Sequence, residues 1–339
     1  MKTSLYLPLL ASAWGALATT PATPSIRNIF TFPKNTFIEN IAVRSNSKLL
    51  ITSMSVPDLF LIDPTVTTPS APIVHTFPNC TGISGIAEIT PDLFALVTGT
   101  WDLANTRAAL GSLDIWTIDF HHSPPRTKLI TPVLNSTILN GIARHPTNPT
   151  LLMAADSAAG AVYRINLLTG SASVAFSSPL LEPTGTASEG LHLGINGLKA
   201  QGAYLYFTNS AQKFFGKVAV DFLGNKVGNI QVISQSNNTA TGGAADVVYD
   251  DIALDVNPIS GKGDAWIASH PDYAVRVEVG GPTGGQQWLV KNGTKLLNPT
   301  SAAWGRGSAK ERRTLYVTNG GEFTPEFELI NEGVVALDF

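Results

Sequence analysis

The segment Asn140-Gly141-Ile142-Ala143 recurs with small changes along the chain, and this recurrence decides the fold. In each copy a polar residue stands just before a short apolar step. The polar residues, which we call the column, are Glu39, Ser84, Asn140, Asn196, Asp250 and Thr300. They are spaced 45, 56, 56, 54 and 50 residues apart. A recurrence of about 40 to 50 residues with several short strands per unit is typical of a β-propeller.

Short runs of β-branched and aromatic residues, bounded by Gly, Pro, Asn and Asp, predict four strands in each repeat. The second strand often ends in a small polar residue, as in Leu49–Ser53 and Tyr204–Asn209. The chain ends on a third strand, and residues 29–33 resemble the predicted fourth strand at 73–78. Pairing 29–33 with the last strand would remove two exposed sheet edges. We therefore expect an all-β, six-bladed β-propeller of four-stranded antiparallel blades, with an N-terminal strand closing the last blade.

The N-terminus predicts a secretory signal peptide. Met1-Lys2 precedes an apolar run at 5–17, and Ala16-Leu17-Ala18 supplies a small-residue cleavage site. The run is too short for a membrane span. We expect residues 1–18 to be removed and residues 19–339 to form one secreted propeller domain. Acceptor sequences for N-glycosylation, which fit this route, begin at Asn79, Asn135, Asn237 and Asn292.

The charge and the cysteine content argue against nucleic-acid binding and exclude an internal disulfide. Charged residues make up 14% of the chain, the net charge is -3, and no run of Lys or Arg occurs. Such a chain lacks the basic surface of a nucleic-acid binder. Cys80 is the single cysteine, so stability must come from packing without an internal disulfide. We expect a monomer, with a dimer left open.

The column and the ends of the second strands should open on one mouth of the propeller. Loops predicted at that mouth carry many apolar and aromatic side chains, which suit a hydrophobic small molecule held by a few directed hydrogen bonds. Packing over loop cores is the alternative for each of them. The residues predicted to bind substrate are Met54, Trp101, His192, Phe214, Phe215, Tyr273 and Phe323. Lys213 and His270 are predicted at the same mouth as polar groups near a ligand.

Four members of the column could bind a cation. Glu39, Asn140, Asn196 and Asp250 supply two carboxylates and two amide carbonyls, and this set suits calcium or another hard divalent cation. The alternative is that these residues only satisfy backbone groups or hold water in the central channel. The sequence leaves both open.

The order Glu39, Asn140, Asn196, Asp250 resembles the metal-binding set of the gluconolactonase, regucalcin and diisopropyl-fluorophosphatase propellers. The resemblance covers nearly the whole mature chain and extends to strictosidine-synthase-like proteins. It implies a metal that polarises the substrate, with Asp250 as the reactive carboxylate. The chain departs from the pattern at Asn40 and Asp251, where a glycine usually follows the ligand.

In its leader, acceptor sequences and aromatic rim, the chain more narrowly resembles fungal hetero-Diels-Alderases of tropolone-sesquiterpenoid biosynthesis. That resemblance implies a pericyclase that joins a quinone-methide-type heterodiene to a macrocyclic terpene alkene without a required cofactor. The residues then assigned to catalysis are Asn140, Asn196, Lys213, Asp250 and His270. A metal-dependent lactonase or esterase is the alternative, and a secreted binding propeller without catalysis is a third.

Overall fold

Six four-stranded antiparallel sheets form the blades in the described part of the chain, and their innermost strands surround a central channel. The computed structural model describes residues 23–184, 193–237, 242–243, 247–281, 285–326 and 328–339. The predicted signal peptide and His192 lie outside these residues. Within them, no helix has the length and apolarity that crossing a membrane would require.

The N-terminal strand completes the last blade, as predicted. β1 (Ser25–Thr31) pairs antiparallel with the C-terminal strand, with Ser25 opposite Asp338 and Thr31 opposite Gly333. This exchange joins an N-terminal and a C-terminal strand in one sheet. The edges that the two strands turn toward each other are thereby paired. The prediction of a six-bladed β-propeller with this closure is confirmed.

The remaining strands follow in blade order. Blade one contains β2 (Ile38–Val43), β3 (Leu49–Ser53), β4 (Asp58–Ile62) and β5 (Ile73–Thr76). Blade two begins with β6 (Gly82–Thr90) and β7 (Leu93–Gly99). A small hairpin, β8 (Trp101–Asp102) and β9 (Arg107–Ala108), encloses the 3-10 helix Leu103–Asn105. The blade then ends with β10 (Asp114–Asp119) and β11 (Arg126–Pro132).

Blades three to six repeat the arrangement. Blade three contains β12 (Leu139–Arg144), β13 (Leu151–Asp156), β14 (Ala161–Asn166) and β15 (Ala172–Ser177). Blade four contains β16 (Ile195–Gln201), β17 (Tyr204–Asn209), β18 (Phe214–Val220) and β19 (Lys226–Gln235). Blade five contains β20 (Val248–Val256), β21 (Gly263–His270), β22 (Tyr273–Val279) and β23 (Gln287–Lys291). Blade six contains β24 (Pro299–Trp304), the 3-10 helix Glu311–Arg313, β25 (Thr314–Asn319), the hairpin β26 (Glu322–Phe323) and β27 (Leu329–Ile330), and β28 (Gly333–Asp338).

The hydrophobic core is distributed between neighbouring blades. Among the described residues, six apolar clusters form, and each joins side chains of neighbouring blades. Between blades six and one, for example, Ile38 and Leu49 pack with Val334. Burial of such side chains drives the blades together, so the ring is closed by packing and carries no disulfide. The closed ring then fixes the positions of the six inner strands.

Candidate functional site

Every inner strand is irregular at the column. The pairing of each inner strand with its neighbour shifts register across the column residue, between Ile38 and Ile41 in blade one and between Tyr249 and Ile252 in blade five. The same shift occurs in the other four blades. Such bulges re-aim side chains and interrupt the strict alternation of a strand. Two successive residues of a strand can therefore contribute to the channel.

The first layer contains the four predicted oxygen donors. Glu39, Asn140, Asn196 and Asp250 are all buried, with between 2% and 8% of their surface exposed. The Asn140 amide lies beside Glu39 and partly offsets the rise that burial causes in the pKa of that carboxyl group, and the Asn196 amide does the same for Asp250. The carboxamide of Asn196 is held further because its Nδ2 donates to Ser210 Oγ at 2.8 Å. Each asparagine therefore places its amide beside a carboxyl group.

The amide oxygens of these asparagines have no partner. Oδ1 of Asn140 and Oδ1 of Asn196 are buried, and no donor in the described residues reaches them. A buried oxygen without a hydrogen bond costs about 1–3 kcal/mol. The two atoms are thus free acceptors beside two carboxyl groups. The amino group of Asn196 is engaged by Ser210, so its oxygen is the atom left to bind a ligand.

Burial and mutual repulsion perturb the two carboxyl groups. Burial raises the pKa of Glu39 well above its usual range, and the charges of Asp250 and Asp251 add to this effect. Burial also raises the pKa of Asp250, although the hydrogen bond from His270 opposes the shift. Neighbouring buried carboxylates resist simultaneous ionisation. The layer therefore favours a bound proton or another positive charge.

His270 links the buried layer to the mouth. Its Nε2 lies 3.0 Å from Asp250 Oδ2, and its Nδ1 lies 3.3 Å from Asn298 Oδ1. The orientation of Asn298 is fixed because its Nδ2 donates to the carbonyl of Gly321 at 2.7 Å. Both ring nitrogens thus face side-chain oxygens, and the ring is held between Asp250 and Asn298. The sequence placed His270 at the mouth but gave no signal for Asn298.

The other two members of the column have structural roles. Ser84 Oγ donates to the carbonyl of Leu139 at 2.7 Å, and Thr300 Oγ1 donates to the carbonyl of Ile38 at 3.0 Å. Each bond joins a blade to the next one around the ring. These hydroxyl groups therefore connect neighbouring inner strands. The candidate site is formed by the other four column residues.

A second polar layer lies one residue further along the inner strands. Oδ2 of Asp251 accepts hydrogen bonds from Lys199 Nζ at 2.6 Å, from Ser301 Oγ at 2.9 Å and from Asn40 Nδ2 at 3.0 Å. We call these four residues the Asp251 cluster. The side chain of Asp251 is 1% exposed, so its charge is compensated within the protein. The two residues that replace the expected glycines thus bind each other across the channel.

Glycines remain where neighbouring strands approach too closely for a side chain. A Cβ at Gly197 would lie 2.6 Å from the Cα of Asp251, and a Cβ at Gly141 would lie 2.4 Å from the backbone nitrogen of Leu198. Both distances are shorter than carbon contacts allow. Blades three and four therefore require glycine after the column residue, whereas blades one and five use this position for the Asp251 cluster.

Several predicted aromatic contacts are corrected by the structure. Phe214 and Phe215 lie in β18 and not in a loop, and both are buried between blades, at 3% and 0% exposure. Trp101 is also buried, with its Nε1 donating to the carbonyl of Gly82 at 3.2 Å, and it packs with Met54. The third strand of blade four begins directly after a tight turn, and for this reason its first residues face the core.

Other predicted residues do lie on the mouth side. Tyr273 begins β22 and is partly exposed, with Lys291 Nζ 5.2 Å from its ring centre. Phe323 in β26 is 69% exposed. Lys213 is partly exposed in the turn between β17 and β18, where its φ of 56° is left-handed. Leu110, which the sequence did not single out, is exposed at 72% in the loop that follows β9.

Three of the predicted glycosylation sites are accessible. Asn79, Asn135 and Asn237 are exposed. Asn292 is partly exposed, and its Oδ1 accepts a hydrogen bond from the backbone nitrogen of Thr294 at 3.1 Å. Modification at these four sites stays a prediction.

The donors of the first layer fit a small hard cation. Within the described residues no three His, Cys, Asp or Glu side chains converge as a metal cluster. Amide oxygens nevertheless bind calcium in combination with carboxylates. The unpartnered oxygens of Asn140 and Asn196, beside Glu39 and Asp250, make up such a set. The chemistry of these four residues is therefore compatible with calcium or another divalent cation.

Comparison of sequences gives distant relatives over most of the chain. A protein of Sarocladium schorii that carries the provisional name hetero-Diels-Alderase is 24% identical over 335 residues, which cover 91% of this chain and 82% of that protein. A protein of a Phoma species with the same provisional name is 23% identical and covers 88% of each chain. No protein-family model matches the chain.

Solved structures share the fold at low identity. The Malassezia sympodialis allergen Mala s 1 has a TM-score of 0.64 at 12% identity, covering 94% of this chain and 96% of the allergen. Regucalcin of Agrobacterium tumefaciens has a TM-score of 0.60 at 14% identity, covering 91% of this chain and 95% of regucalcin. The chain is thus a six-bladed β-propeller with the fold of regucalcin and gluconolactonase-like proteins, and its sequence resembles proteins named hetero-Diels-Alderases.

Proposed function

We propose that the protein is a pericyclase of the hetero-Diels-Alder type. The observation that carries this proposal is the likeness, over 91% and 88% of the chain, to two proteins that bear this name. The fold alone serves many unrelated functions and does not select a reaction. The geometry of the site indicates which residues would contact the substrates and what each would do.

The reaction joins a heterodiene that ends in oxygen to an alkene. One carbon–carbon bond and one carbon–oxygen bond form as three π bonds are converted into two σ bonds and one new π bond. No proton, leaving group or covalent nucleophile is needed. Holding both partners together makes the step effectively unimolecular. A donor near the heterodiene oxygen would stabilise the negative charge that grows there.

His270 is the donor that the geometry supports best. Its side chain is 20% exposed, and Asp250 and Asn298 contact its ring from two sides. The contact with Asp250 holds the ring in place, so that a ring N–H could be directed at a ligand oxygen. Asn140 and Asn196 would contribute acceptors. Their free oxygens would accept a hydrogen bond from a hydroxyl group of the substrate.

The proposed substrates are a heterodiene and a terpene. The resemblance to tropolone-sesquiterpenoid enzymes implies a quinone-methide-type heterodiene and a macrocyclic terpene alkene. Phe323 and Tyr273 at the mouth side would contact the terpene, and Lys213 would lie near a ligand oxygen. Secretion, suggested by the leader and the four acceptor sequences, belongs to the same proposal.

A second candidate, a metal-dependent lactonase or esterase, is favoured by the free oxygens of Asn140 and Asn196. Glu39, Asn140, Asn196 and Asp250 would hold the cation. When bound, a cation would polarise the carbonyl oxygen of the substrate. Asp250 would act as the base at Oδ2, the oxygen that faces His270.

One experiment separates the two candidates. The purified chain is given a heterodiene with humulene, and separately an aryl ester and a lactone, each with and without chelator. We expect cycloaddition faster than in buffer alone, in the presence of chelator. Hydrolysis that chelator abolishes, without accelerated cycloaddition, would replace the pericyclase with the hydrolase.

A further inference from the structure

The central channel has a second opening at the end opposite to the mouth described above. A cavity of about 610 Å³ lies there. All six blades line it through the later residues of their inner strands, as with Ile41 in blade one and Ile252 in blade five. A volume of this size is in the range of small-molecule pockets. The cavity is therefore large enough for a ligand of its own.

The cavity has a clear origin in the sequence. Three residues after each column position, five of the six inner strands carry alanine, and the sixth carries Lys199. The alanines are Ala42, Ala87, Ala143, Ala253 and Ala303, and all six positions line the cavity. Alanine has almost no side-chain volume, so a ring of alanines leaves the channel open at this level. Lys199 is the one charged residue at these six positions, and the other five are apolar.

The Asp251 cluster lies next to the inner end of this cavity, which it reaches through Lys199. Lys199 lines the cavity and also donates to Asp251 Oδ2 at 2.6 Å. Asn40 and Ser301 hold the same carboxylate from two further blades. The buried cluster thus separates the cavity from the layer of Glu39 and Asp250. A ligand in the cavity would be distinct from a substrate at the mouth.

The charges that line the cavity leave an excess of one cation. Lys199 is paired with Asp251, and Arg306 at the rim is paired with Glu88. Arg144 donates to the backbone oxygen of Ile89 at 3.1 Å, and no carboxylate of the described residues lies within ion-pairing distance of it. An ammonium group has three donors. One donor of Lys199 goes to Asp251, so the others can bind a ligand.

We propose that this cavity binds a small amphipathic monoanion. The apolar body would lie against the alanine ring, and the anionic head would be held by the cations, with Arg144 supplying the uncompensated charge. Burial of an apolar body in a pocket of alanine and isoleucine provides affinity. The charged head provides selectivity over a neutral molecule of the same shape. This proposal does not depend on the reaction at the mouth.

The probe for the test is 11-(dansylamino)undecanoic acid, compared with its methyl ester, by the change in dansyl emission on titration into the full chain. We expect the acid to bind more tightly than the ester. Arg144→Gln should weaken the affinity for the acid about fivefold, which corresponds to the loss of about 1 kcal/mol for one exposed charge pair. The affinity for the ester should not change. Arg107→Gln, an exposed arginine at the opposite mouth, is the matched control and should change neither.

Ala303→Phe tests the location by filling the alanine ring, and it should abolish binding of both probes. A thermal melt shows whether this variant folds, and Ala87→Phe provides the same test from another blade. Equal affinity for acid and ester would overturn the proposal. So would an Arg144→Gln variant that behaves like Arg107→Gln, or full binding by a folded chain with a filled ring.

Discussion

Nε2 of His270 lies 3.0 Å from Oδ2 of Asp250, and this contact joins a buried carboxyl group to a side chain at the mouth. The side chain of Asp250 is 11% exposed and that of His270 is 20% exposed. A substrate at the mouth would therefore meet the imidazole first. The carboxyl group would act through the ring, by fixing its orientation.

Replacement of His270 should slow the cycloaddition. Without the imidazole, the heterodiene oxygen loses its donor, and we expect His270→Ala to lower kcat/KM by about tenfold to a hundredfold. The measurement is initial rates of product formation by chromatography. His121→Ala is the matched control, because His121 is an exposed histidine that pairs with Asp119 at the opposite end of the propeller. Equal loss in both variants would remove His270 from the mechanism.

The Asp251 cluster should contribute to stability through its charge pair. Lys199→Met leaves the buried Asp251 carboxylate without its cation, and we expect a loss of about 3 kcal/mol in the free energy of unfolding. The double variant Lys199→Met/Asp251→Asn should recover part of this loss, since no buried charge then remains. Urea titrations followed by tryptophan fluorescence provide the comparison. If the loss in the double variant equals the sum of the losses in Lys199→Met and in Asp251→Asn, the two side chains are not coupled.

Asp156 should make stability depend on pH. Burial raises the pKa of this carboxyl group above its usual value, and one of its oxygens, Oδ2, is buried without a partner. The folded chain therefore holds the proton more tightly than the unfolded chain does. The stabilising contribution is present below the unfolded pKa of about 4 and is lost as pH rises through the folded value.

Asp156→Asn removes this titration. The stability of the variant relative to the wild type should thus increase between pH 4 and pH 7, as measured by urea unfolding at each pH. The asparagine Oδ1 can still accept the bonds from the backbone nitrogens of Ala158 and Ala159. A difference that stays constant with pH would contradict the assigned burial effect.

Phe323 should affect capture of the alkene. Phe323→Ala removes an exposed ring at the mouth, and we expect KM for the terpene to increase about threefold while kcat changes little, because uniform binding is lost. Phe222→Ala is the matched control. Phe222 is 60% exposed, but it follows β18 at the opposite end. An unchanged KM in Phe323→Ala would exclude this contact.

The sequence predicts the fold well because the column and the second-strand endings repeat in every blade. Closure by residues 29–33 follows from the same repeat and is confirmed by β1. The orientation of the Asn196 amide could not be predicted, since it depends on Ser210, which is distant from the column in the repeat pattern. Local sequence likewise could not show that Asn40 contacts Asp251, because the two lie on different blades and meet only in the closed ring.

The prediction that Phe214 and Phe215 lie in a loop was wrong. Phe214 and Phe215 follow a turn so short that they already belong to β18, and strand pairing turns them toward the core. The alanine ring, by contrast, is visible in the repeat, although its meaning appears only when the six strands surround one channel.

The most direct test of the proposed reaction is the stereoisomer composition of the cycloadduct, measured by chiral chromatography with and without the protein, in the presence of chelator. A cavity that fixes both partners should enrich one stereoisomer well beyond the ratio formed in buffer. Heat-denatured protein should return the buffer ratio. An identical ratio and rate with and without the folded chain would contradict the assignment as a pericyclase.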